Sequence, residues 1–153
     1  MVANWDILSR ILPNKTDAGS GSLEQMALAE FCKNEFNDHV TKLRVELKKK
    51  SDFICNALDK YFGSTVNYQK PDGGIFIWVD MPENVDTSKL YGVAIKQGVA
   101  INPGLEWSVN PSGKHKMRLC YGNPTIQEID QGVKLLAEIC QKEFGVPKQI
   151  ANQ

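Results

Sequence analysis

The sequence predicts an α+β fold, a two-layer α/β sandwich in which a small sheet is covered by helices. Three observations carry that expectation. Lys70-Pro71-Asp72-Gly73-Gly74 is a turn leading into the β-branched and aromatic run Ile75-Phe76-Ile77-Trp78-Val79, which Asp80-Met81-Pro82 ends. Long segments before and after this strand carry apolar residues at helical spacing. The coarse order is helix, two strands, helix, two or more strands, helix, so strands too few to stand alone alternate with helices long enough to cover them. Along the central strand, Ile75, Ile77 and Val79 share one face and Phe76 and Trp78 the other, and both faces are expected to be at least partly covered.

Taken in order, Trp5, Ile7, Leu8, Ile11 and Leu12 form one apolar stripe on a short helix that Pro13 and Asn14 stop. Residues 14–22 are polar and glycine-containing, a loop. This opening reads either as the domain's own arm or as the end of a larger domain upstream. Ser22 and Gln25 have capping-box spacing and start a helix carrying Met26, Ala27, Phe31 and Cys32. A break is expected over residues 34–38. Helical spacing then resumes through Val40, Leu43, Leu47, Ile54, Leu58 and Tyr61, with Gly63 as its end. Residues 65–69 form a short strand entering the turn, in a hairpin with the central strand. Asp86 or Thr87 caps a helix with Leu90, Val93, Ala94 and Ile95 on its apolar side, closed by Gly98. Residues 99–101 read as a strand, Asn102-Pro103-Gly104 as a turn, 105–109 as extended and 110–114 as a solvent loop. Residues 116–121 are a strand with Met117, Leu119 and Tyr121 on one face and Arg118 beside Cys120 on the other. The last helix has Thr125 and Glu128 as a reciprocal cap and Ile126, Ile129, Val133, Leu136, Ala137 and Cys140 as its buried stripe.

The 153 residues suffice for one domain with a substantial core, and 42% hydrophobic and 24% charged residues are ordinary for a folded protein. Lys plus Arg equals Asp plus Glu at 18 each. Bulk charge therefore gives no reason to expect a nucleic-acid or membrane partner. The run Lys48-Lys49-Lys50 reads as a solvated helix face diluted by Glu46 and Asp52. Cys32, Cys55, Cys120 and Cys140 form no CxxC pair and sit among apolar neighbours, as expected of reduced, structural thiols in a cytoplasmic setting. A disulfide or a reactive thiol is the alternative. No stretch approaches the ~20 apolar residues of a membrane span.

Arg118 is the sharpest candidate for a site. An arginine inside an apolar strand must reach an acid, the surface or a ligand, and its planar fork matches a carboxylate. Pro103 and Gly104, in a turn after a strand, offer backbone close to a ligand or merely a turn. Leu105, Trp107 and Tyr121 are candidates for ligand contact or for core. His39 and His115 have no metal-ligand companions, Gly73-Gly74 is too short for a phosphate loop, and Asp72, Asp80, Glu83 and Asp86 lack calcium-loop spacing. Ser20 and Ser22 are explained by turn and cap duty.

With these residues in view, the sequence closely resembles the C-terminal small domain of class I/II, fold-type I pyridoxal-phosphate aminotransferases. Within that family it is most similar to the α-aminoadipate (kynurenine-like) enzymes and the aminotransferase half of GntR-type regulators. The resemblance lies in the segment beginning Ser22-Leu23-Glu24-Gln25-Met26-Ala27, in Pro71-Asp72-Gly73-Gly74-Ile75-Phe76-Ile77-Trp78-Val79, in Gly98-Val99-Ala100-Ile101-Asn102-Pro103-Gly104, and in Arg118-Leu119-Cys120-Tyr121 with the helix after it. It implies residues 1–21 as a remnant of an upstream large domain or interdomain segment, 22–145 as the small domain and 146–153 as a flexible tail. It also implies that Arg118 grips the substrate α-carboxylate, with Pro103 and Gly104 on the substrate side.

The family's cofactor-holding large domain, with its Schiff-base lysine, has no counterpart here. The resemblance therefore implies a C-terminal domain separated from a larger enzyme by design, by proteolysis or through a truncated gene model, inactive alone and with no cofactor tightly bound. The larger protein would be a homodimer that uses pyridoxal phosphate to move an amino group between an α-amino acid and a 2-oxo acid. Two other readings remain: a freestanding, non-catalytic interaction or regulatory domain, and part of a related pyridoxal-phosphate lyase or decarboxylase.

Overall fold

The computed structural model describes residues 3–17 and 19–147. The chain divides into two compact units, one ending at Thr41 and the other starting at Lys42. In the first unit, α1 (Trp5–Ile11) is capped by the Asn4 side chain and runs into a 3₁₀ turn, Leu12–Asn14, with Pro13 near its start. Helix α2 spans Ser22–Asn34 and α3 starts at Phe36, so the expected break narrows to Glu35. Across that break the Phe31 and His39 rings meet edge-on with centroids 5.5 Å apart. The capping box expected of Ser22 and Gln25 does not form. Gly21 takes the cap position in extended backbone, Ser22 is already helical, and Gln25 Nε2 donates instead to the Ser20 carbonyl at 2.9 Å. No described residue up to Thr41 is buried, and Trp5 is 68% exposed, so the first helix's apolar stripe is open.

The second unit holds the core. Helix α3 (Phe36–Tyr61) turns its C-terminal half inward through Ile54, Ala57, Leu58 and Tyr61. Four strands, β1 (Asn67–Tyr68), β2 (Phe76–Asp80), β3 (Asn102–Pro103) and β4 (Lys116–Cys120), pair antiparallel in the order β1-β2-β4-β3. Helices α4 (Thr87–Ala94) and α5 (Ile126–Phe144) complete the helical layer. In the central pair, Ile77 lies opposite Leu119 and Val79 opposite Met117, and all four point into the core with Leu58, Leu90, Val133 and Leu136. Each such aliphatic side chain contributes about 1.5–3 kcal/mol through its removal from water.

The other face of the sheet is partly covered, as expected, with Phe76 and Arg118 half-buried. It is partly open, with Trp78 41% exposed and Cys120 exposed. Ile75 is likewise 41% exposed, outside the core that its parity with Ile77 suggested. The hairpin of β1 and β2 forms as expected, Asn67 opposite Asp80 and Tyr68 opposite Val79. Its turn is tied from outside: the Tyr121 hydroxyl donates to the Gly74 carbonyl at 2.9 Å, where Gly74 takes φ 85°.

The segment between α4 and β4 is where local pattern misleads. Residues 99–101 make no strand, and pairing begins only at Asn102, opposite Arg118. The stretch read as extended opens with a 3₁₀ turn, Gly104–Trp107, and the solvent loop contains another, Pro111–His115, capped by Asn110. The physical cause is backbone packing. A Cβ on Gly104 would stand 2.5 Å from the Gly113 carbonyl oxygen and 2.6 Å from that of Lys116.

The helix ends follow the sequence more closely. Asp86 caps α4 by accepting from the Ser88 and Lys89 amides, while Thr87 is buried and donates to the Lys114 carbonyl at 3.0 Å. Gly98, at φ 87°, ends the 3₁₀ extension of α4, and Ile95 points outward. On α5 the reciprocal box is present: the Glu128 amide donates to Thr125 Oγ1 at 3.2 Å and the Thr125 amide to Glu128 Oε2 at 2.7 Å. Ile126, placed in the buried stripe by its spacing, is 42% exposed. Gly145, left-handed, ends α5, and the Val146 amide reaches the Cys140 carbonyl with its side chain buried. The remainder of the expected tail, residues 148–153, lies outside the described residues.

The lysine run on α3 is matched by neighbours, Lys48 to Asp52 at 2.6 Å and Lys49 to Glu46 at 2.8 Å, as a solvated face predicts. Such exposed pairs contribute about 0–1 kcal/mol each. Lys50 donates to the Gly122 carbonyl at 3.0 Å, linking α3 to the end of β4.

Replacement of Thr125 by Ala should lower unfolding free energy by about 1 kcal/mol, whereas Ser22→Ala should leave it nearly unchanged. Equal losses in urea titrations would contradict the cap assignments. The two backbone and side-chain bonds from Thr125 hold Glu128 below the usual carboxylate range. Its stabilising contribution is therefore complete above the ordinary glutamate pKa and disappears as pH falls through the lowered folded value. Glu128→Gln should flatten that part of the acid limb of stability against pH. Burial pushes the Cys140 thiol up to about 12 and raises Cys55, while Cys32 and Cys120 are exposed. Ellman's reagent should thus titrate two thiols in the folded chain and all four only after unfolding, and four fast thiols would refute that burial pattern.

Candidate functional site

Arg118 occupies the middle of β4, at the parity that the core-facing Met117 and Leu119 leave for the open face. Its cross-strand neighbours are Trp78 on β2 and Asn102 on β3. The guanidinium lies between two rings: its central carbon is 4.0 Å from the centroid of Phe76 and 3.7 Å from that of Trp107. Each stack contributes about 0.5–1 kcal/mol when exposed and about 2 when desolvated. No ion pair among the described residues includes Arg118. Asp80, at the end of the neighbouring strand, is instead paired with Lys116 at 2.9 Å.

The guanidinium Nε is sealed from solvent and has no hydrogen-bond partner. An unmade hydrogen bond of this kind costs about 1–3 kcal/mol. Of the three destinations that the sequence left open for Arg118, an internal acid is therefore not the one taken. A planar cation held between rings, with terminal donors uncommitted, is chemically suited to a carboxylate.

Pro103 and Gly104 come beside this group. Pro103 is buried opposite Met117, and Gly104 is buried against backbone at both Gly113 and Lys116. Gly104 thereby fixes the tight turn that carries Trp107 over Arg118. Tyr121 does not join the site: it is 1% exposed, and its hydroxyl is committed to the Gly74 carbonyl. Leu105 is 40% and Trp107 52% exposed, so both have surface to offer. Sequence reasoning missed Phe76 as a partner of Arg118. The available signal was parity, since Phe76 and Arg118 both alternate with core-facing residues on strands that pair.

The remaining candidates separate from the site. His115 Nδ1 lies 2.8 Å from the Val85 carbonyl oxygen, Asp86 is a cap, and no group of His, Cys, Asp and Glu suited to a metal occurs among the described residues. A groove of about 570 Å³ between residues 98–100, the end of β4 and α5 contains one titratable acid, Glu128, already held by Thr125. No helix among the described residues is long and apolar enough to cross a membrane.

The cofactor pyridoxal phosphate requires an imine-forming lysine and groups for its ring and phosphate. It does not fit. The groups placed against the Arg118 guanidinium among the described residues are the Phe76 and Trp107 rings, and neither forms an imine or holds a phosphate.

The chain matches the family "Aminotransferase class I and II" over residues 8–136. In solved structures it is similar to LysN, the α-aminoadipate aminotransferase of Thermus thermophilus, in complex with N-(5'-phosphopyridoxyl)-L-leucine. The TM-score is 0.79 at 27% identity, covering 92% of this chain and 37% of LysN. An uncharacterized aminotransferase of Saccharolobus solfataricus, SSO0104, is 28% identical over 94% of this chain and 37% of its own length. The uncharacterized HTH-type transcriptional regulator YisV of Bacillus subtilis is 30% identical over 84% of this chain and 26% of its own length.

The chain thus spans about a third of the length of these relatives. The regulator corrects one expectation. Balanced charge argued against a nucleic-acid partner, but a relative this similar is named a helix-turn-helix regulator, and the charge of one segment says nothing about a domain joined to it. The partly open four-stranded sheet with its helical layer matches the small domain of fold-type I aminotransferases, and with residues 8–136 matching the family throughout, the chain belongs to the class I and II aminotransferases.

Proposed function

We propose that this chain is the ligand-gripping small domain of a longer protein, in which Arg118 takes the α-carboxylate of an amino acid. The observation that carries the proposal is the guanidinium itself, stacked between Phe76 and Trp107 and joined to no acid among the described residues. Arg118 supplies charge and paired donors. The two rings supply orientation, and the Gly104 turn sets where one of them lies.

Pyridoxal phosphate, typical of the family, supplies an electron sink for chemistry at the amino-acid Cα when bound. On this proposal it is housed in the part of the longer protein beyond this chain. Four cysteines without a disulfide, two of them buried, suit a reducing cytoplasmic setting.

The YisV similarity supports a regulatory role at least as well as an enzymatic one. In a regulator, the amino acid held by Arg118 acts as a signal, and its release or capture changes the state of an attached DNA-binding domain. In an enzyme, the same grip aligns a substrate for amino-group transfer to a 2-oxo acid. Turnover of an amino acid with a 2-oxo acid by the longer protein would favour the enzyme. An amino-acid-dependent change in DNA affinity without turnover would favour the regulator.

Both roles share one prediction. In the longer protein, Arg118→Ala should weaken amino-acid binding about ten- to hundredfold, the value of a charge-assisted hydrogen-bond pair, while cofactor binding stays intact. Titration calorimetry checks this, and unchanged amino-acid affinity would rule out the carboxylate role.

A further inference from the structure

The manner in which Arg118 is held limits how any carboxylate reaches it. Two rings lie against the guanidinium, its central carbon 4.0 Å from the Phe76 centroid and 3.7 Å from that of Trp107. What remains is the rim, where the N–H donors point. One part of that rim is closed as well, because Nε is buried without a partner. The two terminal nitrogens are the donors left. They have no partner among the described residues, and unlike Nε they are not sealed from solvent.

Trp107 is not held there by burial, being 52% exposed. It is placed by the 3₁₀ turn Gly104–Trp107, whose first residue packs without a Cβ against the Gly113 and Lys116 backbones. Phe76 is placed by β2, paired opposite Cys120, two residues along β4 from Arg118. The two rings therefore come from separate elements and converge on one cation.

Resting on the carboxylate role proposed above, we propose that Phe76 and Trp107 are positioning residues that present Arg118 as an end-on fork. A ligand carboxylate then binds in the guanidinium plane through the two Nη nitrogens, and Nε takes no part. An unstacked arginine would sweep many orientations on its flexible stem. The sandwich removes that freedom before the ligand arrives, which favours binding through preorganisation. An aromatic ring is required at position 107, because an aliphatic side chain of similar size covers the cation without the quadrupole that attracts it.

The chain has three arginines, Arg10, Arg44 and Arg118, so the side-chain nitrogen resonances of arginine-labelled protein are readily assigned. Sodium propionate is the probe, with sodium chloride at equal ionic strength as reference. The Arg118 Nη resonances should move with propionate while its Nε resonance stays still. Trp107→Phe should bind propionate within about twofold of the parent, and Trp107→Leu and Phe76→Leu about three- to tenfold more weakly.

Trp107→Leu equal to the parent, or Nε moving together with Nη, overturns the end-on fork while leaving the carboxylate role standing. Arg118 resonances indifferent to propionate in every protein, the parent included, overturn the carboxylate role itself. Should Trp107→Leu lose its native circular dichroism, Phe76→Leu and Trp107→Phe decide the matter between them.

Discussion

Everything in the second unit depends on the parity of one strand pair. Ile77 and Val79 on β2 lie opposite Leu119 and Met117 on β4, and each of these four is at most 6% exposed. That arrangement assigns every even-numbered residue of β2 and β4 to the open face. A slip of one residue in β4 would turn Arg118 into the core and a core aliphatic out to water. The burial of four aliphatic side chains thus determines where the cation points. Helix α5, whose stripe of Ile129, Val133, Leu136 and Ala137 closes against the same cluster, holds the register from the other layer.

The charges of the open face are already distributed. Lys116 and Asp80 neutralise one another at the end where β4 begins, leaving Arg118 between rings rather than beside a carboxylate. A buried acid in place of either ring would satisfy the guanidinium more strongly, but it would also occupy the donors that a ligand needs. Aromatic stacking has no such conflict. It engages the π-faces of the cation and leaves the in-plane hydrogens of its terminal nitrogens uncommitted, so Arg118 is held without being consumed.

What the sequence made legible divides along local and non-local lines. Strands β2 and β4 and helix α5 were readable because their periods are strong and their ends are marked, by Pro82 for β2 and by Thr125 and Glu128 for α5. The box at Thr125 forms and the one expected at Ser22 does not, although both have the right spacing. Gly21 was free to take the cap position ahead of Ser22, and spacing alone does not register that competition. The turn after Pro103 was misread for a different reason. The fit of Gly104 between the Gly113 and Lys116 backbones joins residues distant in sequence, and no window over residues 105–109 contains it. Arg118 stood out because a charge in an apolar strand is conspicuous. Its aromatic partnership did not: Phe76 looks like an ordinary core residue, and Trp107, a candidate for ligand contact or core, shows no link to Arg118 until three separate elements are brought together.

On the role proposed for Arg118, a grip of this kind would suit one small domain to proteins with different work to do. The α-carboxylate, though bonded to the reacting Cα, is neither broken off nor protonated in transamination and keeps its charge, so a group holding it binds ground state and transition state nearly alike. Uniform binding raises affinity and alignment without by itself lowering the chemical barrier. On the proposed role, the chemistry must come from elsewhere in the longer protein, and what Arg118 contributes is occupancy and orientation. Occupancy is also all that a ligand-sensing domain requires, since a ligand shifts a conformational equilibrium by its difference in affinity for two states. The physical demands on this sheet face are therefore the same in an aminotransferase and in a regulator, and similarity to both LysN and YisV is what such a shared demand would leave behind.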